Sequence, residues 1–285
     1  MKSVVMFPNA VKDKENAVAL QIISDLIKAG FEVYAPSVYK KSLGTVEGLS
    51  YGNESDVLEK AELGIVIGGD GSILKAASAC APFGVDILGV NLGQLGYMAG
   101  IESEDAHNIV SLISNDYKTE SRMMLDICIE RNGELLFSGG PVLNDVVLAK
   151  SKGHGVIEAT LSCNGTVLNT YRGDGLIIAT PTGSTAYSLS AGGPIVDSSL
   201  DCICVTPICA HSLKSRPLIF RDEARIGISC NSNGNSACVT LDGAIAFDIE
   251  EGDSIVIKKS FCRAKLVKTD DMSFCSTLYK KIADK

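Results

Sequence analysis

Several short stretches of this chain carry more polar chemistry than a turn requires. An apolar run at 63–67 ends in Gly68-Gly69-Asp70-Gly71-Ser72, which passes directly into a helical pattern. Glycines there let a backbone approach a phosphate closely, and a helix N-terminus aims N–H groups and partial positive charge at it. Gly68, Gly69, Gly71 and Ser72 are therefore candidate phosphate contacts. Asp70 is the odd member, because a carboxylate repels phosphate. It accepts a proton from an attacking hydroxyl, holds Mg²⁺, or is simply the helix N-cap. Lys75, one turn on, is either a cation at the same phosphates or a solvated lysine. The next apolar run, 87–90, ends in Asn91-Leu92-Gly93-Gln94-Leu95-Gly96-Tyr97. Two such loops would leave the same carboxyl edge of a parallel sheet and face one crevice, with Asn91 as a further phosphate contact. The alternative is a pair of tight turns that happen to use glycine.

The second half holds Arg172-Gly173-Asp174-Gly175, an apolar run at 176–179, and then Thr180-Pro181-Thr182-Gly183-Ser184-Thr185-Ala186-Tyr187-Ser188-Leu189-Ser190. Thr180 to Ser190 contains six Ser/Thr hydroxyls and the Tyr187 phenol, more hydrogen-bonding capacity than a turn consumes. It reads as a loop that recognises a ligand, or as a helix capped by Ser184 or Thr185. Asn144-Asp145, just before a β-type run at 146–148, is an amide and carboxylate pair suited to a ribose diol or an adenine edge, and equally to a turn that starts a strand.

Composition limits what can position these residues. The 285 residues are 46% hydrophobic and 21% charged, with 28 glycines and 6% aromatics, enough for one large domain or two modest ones and unlike fibrous or disordered chains. Lys+Arg 26 against Asp+Glu 34 leaves a net charge of −8, which disfavours nucleic acid as a partner. No apolar stretch reaches the roughly 20 residues of a membrane span, so a soluble, cytoplasmic protein without a membrane partner is expected. The ten cysteines fall mostly in apolar runs and read as buried, reduced thiols. There is no Cys-x-x-Cys, and His107, His154 and His211 lie far apart in sequence, so no protein metal ligand is assigned.

Apolar runs at 4–7, 31–35, 63–67 and 87–90 alternate with helical spacing at Val18, Ile22, Ile23, Leu26 and Ile27, over 72–81 and over 104–113. That alternation predicts an α/β domain over 1–120 with a parallel, Rossmann-like sheet. Residues 36–52 show no period and are expected to be a mobile excursion. From 121 to 268 the texture is β: Asn132-Gly133 and Asn164-Gly165 sit between β-type runs as hairpin turns, and further runs follow at 202–206, 218–220, 225–230, 237–241, 254–259 and 265–267. An all-β sandwich domain is expected there. The segment 269–285, helical from Ser273, is expected to pack back onto the first domain.

Taken together, Gly68 to Ser72, Asn91 to Gly96, Asn144-Asp145, Gly173 to Pro194, Thr206-Pro207-Ile208 with His211-Ser212-Leu213, and Asp242-Gly243 resemble the motifs of bacterial NAD kinases, in that family's order. The resemblance implies an α/β and a β-sandwich domain with the active site between them, NAD and ATP as substrates with Mg²⁺ carried by ATP, and a homodimer or homotetramer. The reaction implied is phosphorylation of the adenosine-ribose 2′-hydroxyl of NAD, giving NADP and ADP. Asp70 is similar to the family's proton acceptor, and Gly71 is its neighbour at NAD. Asn144 and Asp145 resemble the NAD-binding pair. Arg172, Asp174, Thr185, Ala186, Tyr187, Ser188, Leu189 and Ser190 match further NAD contacts, with Asp174 reaching the nicotinamide end of NAD on a neighbouring subunit. Lys75 stands where the family has Arg or Lys. Ser72 replaces a commoner Thr, Tyr97 a Phe, Ala210 a Pro and Ala244 a Gln. Gly-Gly-Asp-Gly also occurs in phosphofructokinases and lipid kinases, but neither accounts for 172–194, and a phosphofructokinase would need a glycine-rich loop where this chain has Pro8-Asn9-Ala10. A non-catalytic dinucleotide sensor would have no use for Asp70.

Overall fold

The computed structural model describes residues 2–93, 98, 100–152, 155–212, 214–231, 236–269 and 278. The chain forms two compact units, one of 1–121 with 264–285 and one of 122–263.

In the first unit β1 (Ser3–Phe7) is buried along its whole length. α1 (Ala17–Lys28) lays Ala19, Ile22, Ile23 and Leu26 on the core. Its first turn is capped from a distance: the buried Asp13 carboxylate accepts the N–H groups of Val18 at 3.1 Å and Ala19 at 2.9 Å, two of the donors a helix start leaves unpaired. β2 (Glu32–Pro36) pairs in parallel with β1. Residues 36–52 are not an excursion. They form α2 (Lys40–Leu43) and β3 (Leu49–Gly52), which adds to β2 in parallel while Leu43 and Leu49 enter the core. Elements of four residues are too short for an apolar period to show in sequence. The unit continues through α3 (Glu54–Leu58), β4 (Leu63–Gly68), α4 (Asp70–Cys80), β5 (Asp86–Asn91), β6 (Ile101–Glu102) and α5 (Ile109–Ser114). The helix expected over 104–113 starts as a 3-10 segment, Ser103–Asn108, and becomes α only at Ile109.

The strand order β3-β2-β1-β4-β5 is parallel throughout. The chain leaves β1 toward β2 on one side and returns to β4 on the other, so the direction of winding reverses between β1 and β4. In open α/β sheets a ligand crevice lies at such a switch point, outside the carboxyl ends of the strands.

The second unit contains β7 (Lys118–Arg131, from Arg122 on), β8 (Glu134–Val142), β9 (Asp145–Lys152), β10 (Ile157–Cys163), β11 (Thr166–Gly173), β12 (Gly175–Ala179), α6 (Tyr187–Ser190), β13 (Cys202–Ile208), β14 (Leu218–Arg221), β15 (Ile226–Asn231), β16 (Ser236–Leu241), β17 (Ala244–Ile249) and the start of β18 (Asp253–Lys268). Both Asn-Gly hairpins form as expected: Asn132 and Gly133 take φ of 52° and 82°, Asn164 and Gly165 of 50° and 81°. One sheet runs β14-β13-β12-β9-β16-β17; the other places β11-β10-β15-β18 beside β7 and β8. Alternation along the strands sends Leu148, Ile178 and Val205 into the core between the sheets, with Ile127, Leu161 and Ile228 from the other side. Val147, Ile177 and Cys204 go to the opposite face, where Val196 covers them. This is a sandwich with one sheet buried on both faces.

Three expectations change. β17 was not anticipated: Ile245, Phe247 and Ile249 alternate only with Ala244, Ala246 and Asp248, and of the six only Ile249 is buried. The runs at 254–259 and 265–267 are one strand, β18, in which Leu266 pairs in parallel with Ile87. Of the thiols, only Cys80, Cys204, Cys230 and Cys238 are buried among the described residues; Cys209 is exposed, and all nine described are free. Residues 232–235, His154, Leu213 and, apart from Leu278, the segment from 270 on lie outside the described residues. Among the described residues no helix is long and apolar enough to cross a membrane.

Candidate active site

Each unit gathers a separate group of candidate residues. In the first, β4 delivers Gly68 to Ser72 at the switch point. A Cβ on Gly68 would collide with the Ser72 side chain, so the fold itself requires that glycine; a Cβ on Gly71 would touch no protein atom. Gly71 is exposed and open to a ligand. Gly69 is the N-cap of α4 and Asp70 its first helical residue, so Asp70 is not the cap. Its half-buried carboxylate accepts the Met98 N–H at 3.3 Å. Lys75 is exposed one turn along. Among the described residues no cluster of three or more His, Cys, Asp or Glu side chains could hold a metal ion.

The loop after β1, which sequence reasoning did not assign to the site, completes this group. Asn9 donates through Nδ2 to Ser72 Oγ at 2.9 Å, tying the β1 loop to the β4 loop. Its Oδ1 accepts the N–H groups of Val11 and Lys12 at 3.2 and 3.3 Å. The Lys12 ammonium lies over Gly69, 2.7 Å from where a Cβ would stand. A cavity of about 480 Å³ opens here, lined among others by Asn9, Lys12, Gly71, Ser72 and Lys75. In sequence this loop, Pro8-Asn9-Ala10-Val11-Lys12, carries no glycine, and only the pairing of β1 with β4 brings Asn9 to Ser72. Asn91 is placed differently from a direct phosphate contact: it is buried and its amide donates to Glu102 Oε2 at 2.9 Å and to the Gly93 carbonyl at 3.1 Å. The Leu92 N–H donates to the Gly68 carbonyl at 2.8 Å, which joins the two loops. Gln94 to Tyr97 lie outside the described residues.

In the second unit the Asn144-Asp145 pair and the hydroxyl-rich loop come together. The Thr180 hydroxyl donates to the Leu143 carbonyl at 2.6 Å, and its N–H to the Asn144 carbonyl at 2.9 Å. Gly183 packs so closely on the Asn144 backbone that a Cβ would overlap its carbonyl oxygen. On the other side Asp242 accepts the N–H groups of Leu143, Asn144 and Asp145. The Asn144 amide and the Asp145 carboxyl have no side-chain hydrogen-bond partner among the described residues. Burial, and secondarily the charge of Asp242, pushes the Asp145 carboxyl up to about 7. A polar pair, half-buried at Asn144 and buried at Asp145, whose backbone is fully engaged and whose side-chain heads are not, is built to receive a ligand.

The loop residues divide. Thr185 and Ala186 are half-buried, and Tyr187, Leu189 and Ser190 are exposed. Ser188 is fully buried with its hydroxyl bonded to Thr206 Oγ1 at 2.9 Å. The alternative of a helix capped by Ser184 or Thr185 is not realised: Ser184 donates to the Pro181 carbonyl at 2.7 Å and accepts the Val196 N–H at 3.0 Å, while Thr185 donates to the Thr182 carbonyl at 3.2 Å. Those hydroxyls fold the loop into the 3-10 segment Gly183–Thr185 ahead of α6. Arg172 is exposed and pairs with Glu158 at 3.1 Å. Asp174 pairs with Lys150 at 2.7 Å, held by Gly173 and Gly175, whose neighbours leave no space for a Cβ.

One unit with a glycine loop and lysines at a winding switch point, and another whose sandwich presents an unclaimed amide and carboxyl, define a nucleotide-binding phosphotransferase class. The models for the ATP-NAD kinase N-terminal and C-terminal domains match residues 5–117 and 143–269. A NAD kinase of Lachnoclostridium phytofermentans is 40% identical over the whole of both chains, and one of Natranaerobius thermophilus 38% identical over 99% of this chain and 98% of its own. Among solved structures, yeast NADH kinase complexed with NADH superposes with a TM-score of 0.90 at 24% identity, covering 99% of this chain and 88% of that one. An NAD kinase from Archaeoglobus fulgidus in complex with ATP gives 0.74 at 23% identity over the full length of both. The chain belongs to the ATP-NAD kinase family.

Proposed function

We propose that this chain transfers the γ-phosphoryl group of ATP to the adenosine-ribose 2′-hydroxyl of NAD, giving NADP and ADP. The observation that carries the reading is Asp70: a carboxylate in the first turn of α4, off the cap position, within a loop otherwise suited to phosphate and flanked by Lys12 and Lys75. Asp70 accepts the proton of the 2′-hydroxyl as its oxygen forms a bond to the γ-phosphorus and the bond to the β–γ bridging oxygen breaks. Gly68, Gly69, Gly71, Ser72 and Lys75 contact phosphates, joined by Asn9 and Lys12, and Asn91 supports the loop from below. Asn144, Asp145, Arg172 and Asp174, with Thr185, Ala186, Tyr187, Leu189 and Ser190, hold NAD; Ser188 acts through its bond to Thr206. The donor set here, one carboxylate among cations, fits Mg²⁺ carried on ATP's own oxygens. When bound it neutralises phosphate charge. The chain acts in this reading as a cytoplasmic homo-oligomer in which Asp174, paired with Lys150, reaches the nicotinamide end of NAD on a neighbouring subunit.

The test is a coupled assay of the purified chain with NAD, ATP and Mg²⁺. NADP and ADP should appear in equal amounts, and phosphorus NMR should place the new phosphate at the 2′ position. ADP without NADP, or NAD binding without turnover, would replace this reading with another kinase or a dinucleotide sensor.

A further inference from the structure

We infer that Asp242 is a positioning residue for NAD: its carboxylate gives the Asn144-Asp145 segment the shape in which both side chains face a ligand. The inference rests on the proposal that this pair binds NAD. Three consecutive backbone N–H groups converge on Asp242. Leu143 donates to Oδ2 at 3.0 Å, and Asn144 and Asp145 to Oδ1 at 2.8 and 3.1 Å. The Asp242 N–H returns a bond to the Asp145 carbonyl at 3.0 Å. Thr180 closes the opposite side through the carbonyls of Leu143 and Asn144. Every backbone donor and acceptor from Leu143 to Asp145 is thereby engaged, across chain separations of 97 to 99 residues on the Asp242 side.

Three N–H groups converging on one point form an anion-binding concavity. Only a carboxylate fills it, because an amide in the same place would turn its NH₂ toward one of the donors. Asp242 also meets the backbone requirement. It stands at φ 47° in the turn between β16 and β17, a left-handed conformation that Asp and Asn tolerate better than other side chains. Asn and Asp residues commonly spend their side chains on their own backbone in Asx turns. Here Asp242 satisfies the backbone instead, so Asn144 and Asp145 keep their heads for a ligand.

The experiment compares Asp242→Asn, Asn144→Ala and the double variant by steady-state kinetics with NAD and ATP varied separately. Asp242→Asn is expected to raise the NAD KM by about tenfold or more while the ATP KM and kcat stay within about twofold. In the Asn144→Ala background the same change should add little, because the interaction it supports has already gone. Equal rises in both KM values, or fully multiplicative losses in the double variant, would make Asp242 a stability residue only. If Asn144→Ala itself leaves the NAD KM unchanged, the NAD-site reading fails rather than this inference alone. A measurement on the unaltered protein covers the case in which Asp242→Asn does not fold. Hydrogen exchange should find the amides of 143–145 protected before NAD is added, and rapid exchange there in the free protein would overturn the proposal.

Discussion

The two groups of functional residues solve opposite problems. The α/β group is assembled at loop ends, with Gly71, Lys12 and Lys75 exposed and a carboxylate left half-open. The β group is locked: Asn144-Asp145 is held from both sides by Asp242 and Thr180, Gly183 lies against its backbone, and Asp145 is buried deeply enough to raise its pKa. Phosphoryl transfer needs positive charge and backbone donors that a hydrated triphosphate can reach. Recognition of one dinucleotide gains more from polar heads fixed in advance, since ordering them on binding would cost affinity. Removing a residue should therefore strike turnover in the first group and NAD affinity in the second.

The largest break in that contrast is Asp70→Asn, expected to lower kcat by roughly 10²–10⁴, the range for a removed general base. Near wild-type turnover would exclude Asp70 as the proton acceptor. Next comes Asn144→Ala, which should weaken NAD binding by about 1–3 kcal/mol and leave ATP binding unchanged; calorimetric titration of each ligand decides it, and equal losses would make the pair structural.

A thermal test sharpens the contrast in burial. Because the folded-state pKa of Asp145 is raised to about 7, the folded protein keeps a proton that the unfolded chain releases near the ordinary Asp value of about 3.9. The stability from that proton is complete below about pH 4 and is lost as pH rises to about 7. Asp145→Asn should accordingly melt alongside wild type at the acid end and gain about 6–7 °C by neutral pH. A constant difference across that window would mean Asp145 is ionised in the fold. The smallest effect is expected from Lys12→Ala, an exposed cation over Gly69: a rise of about twofold to fivefold in the ATP KM that fades as salt is added.

What could be read in sequence follows the same division. The parallel sheet, α4 and both Asn-Gly hairpins were legible, because long apolar periods and turns needing positive φ leave local marks. The Gly68–Ser72 loop announced itself by standing directly after a buried strand. Lys12 and Asn9 did not, since their place beside Ser72 depends on β1 and β4 being neighbours, a pairing between residues far apart in the chain. The role of Asp242 was hidden for the same reason: Asp-Gly reads locally as a hairpin turn, and only the pairing of β16 with β9 brings its carboxylate to Asn144. Residues 36–52 were misjudged because two four-residue elements bury one leucine each, too little for a pattern.

The division of labour is tested most directly by titrating NAD calorimetrically into Asp70→Asn and comparing it with Asn144→Ala. The account predicts that Asp70→Asn, though deficient in turnover, binds NAD within about twofold of wild type, while Asn144→Ala binds it at least about fivefold more weakly. A loss of NAD affinity in Asp70→Asn as large as that in Asn144→Ala would contradict it.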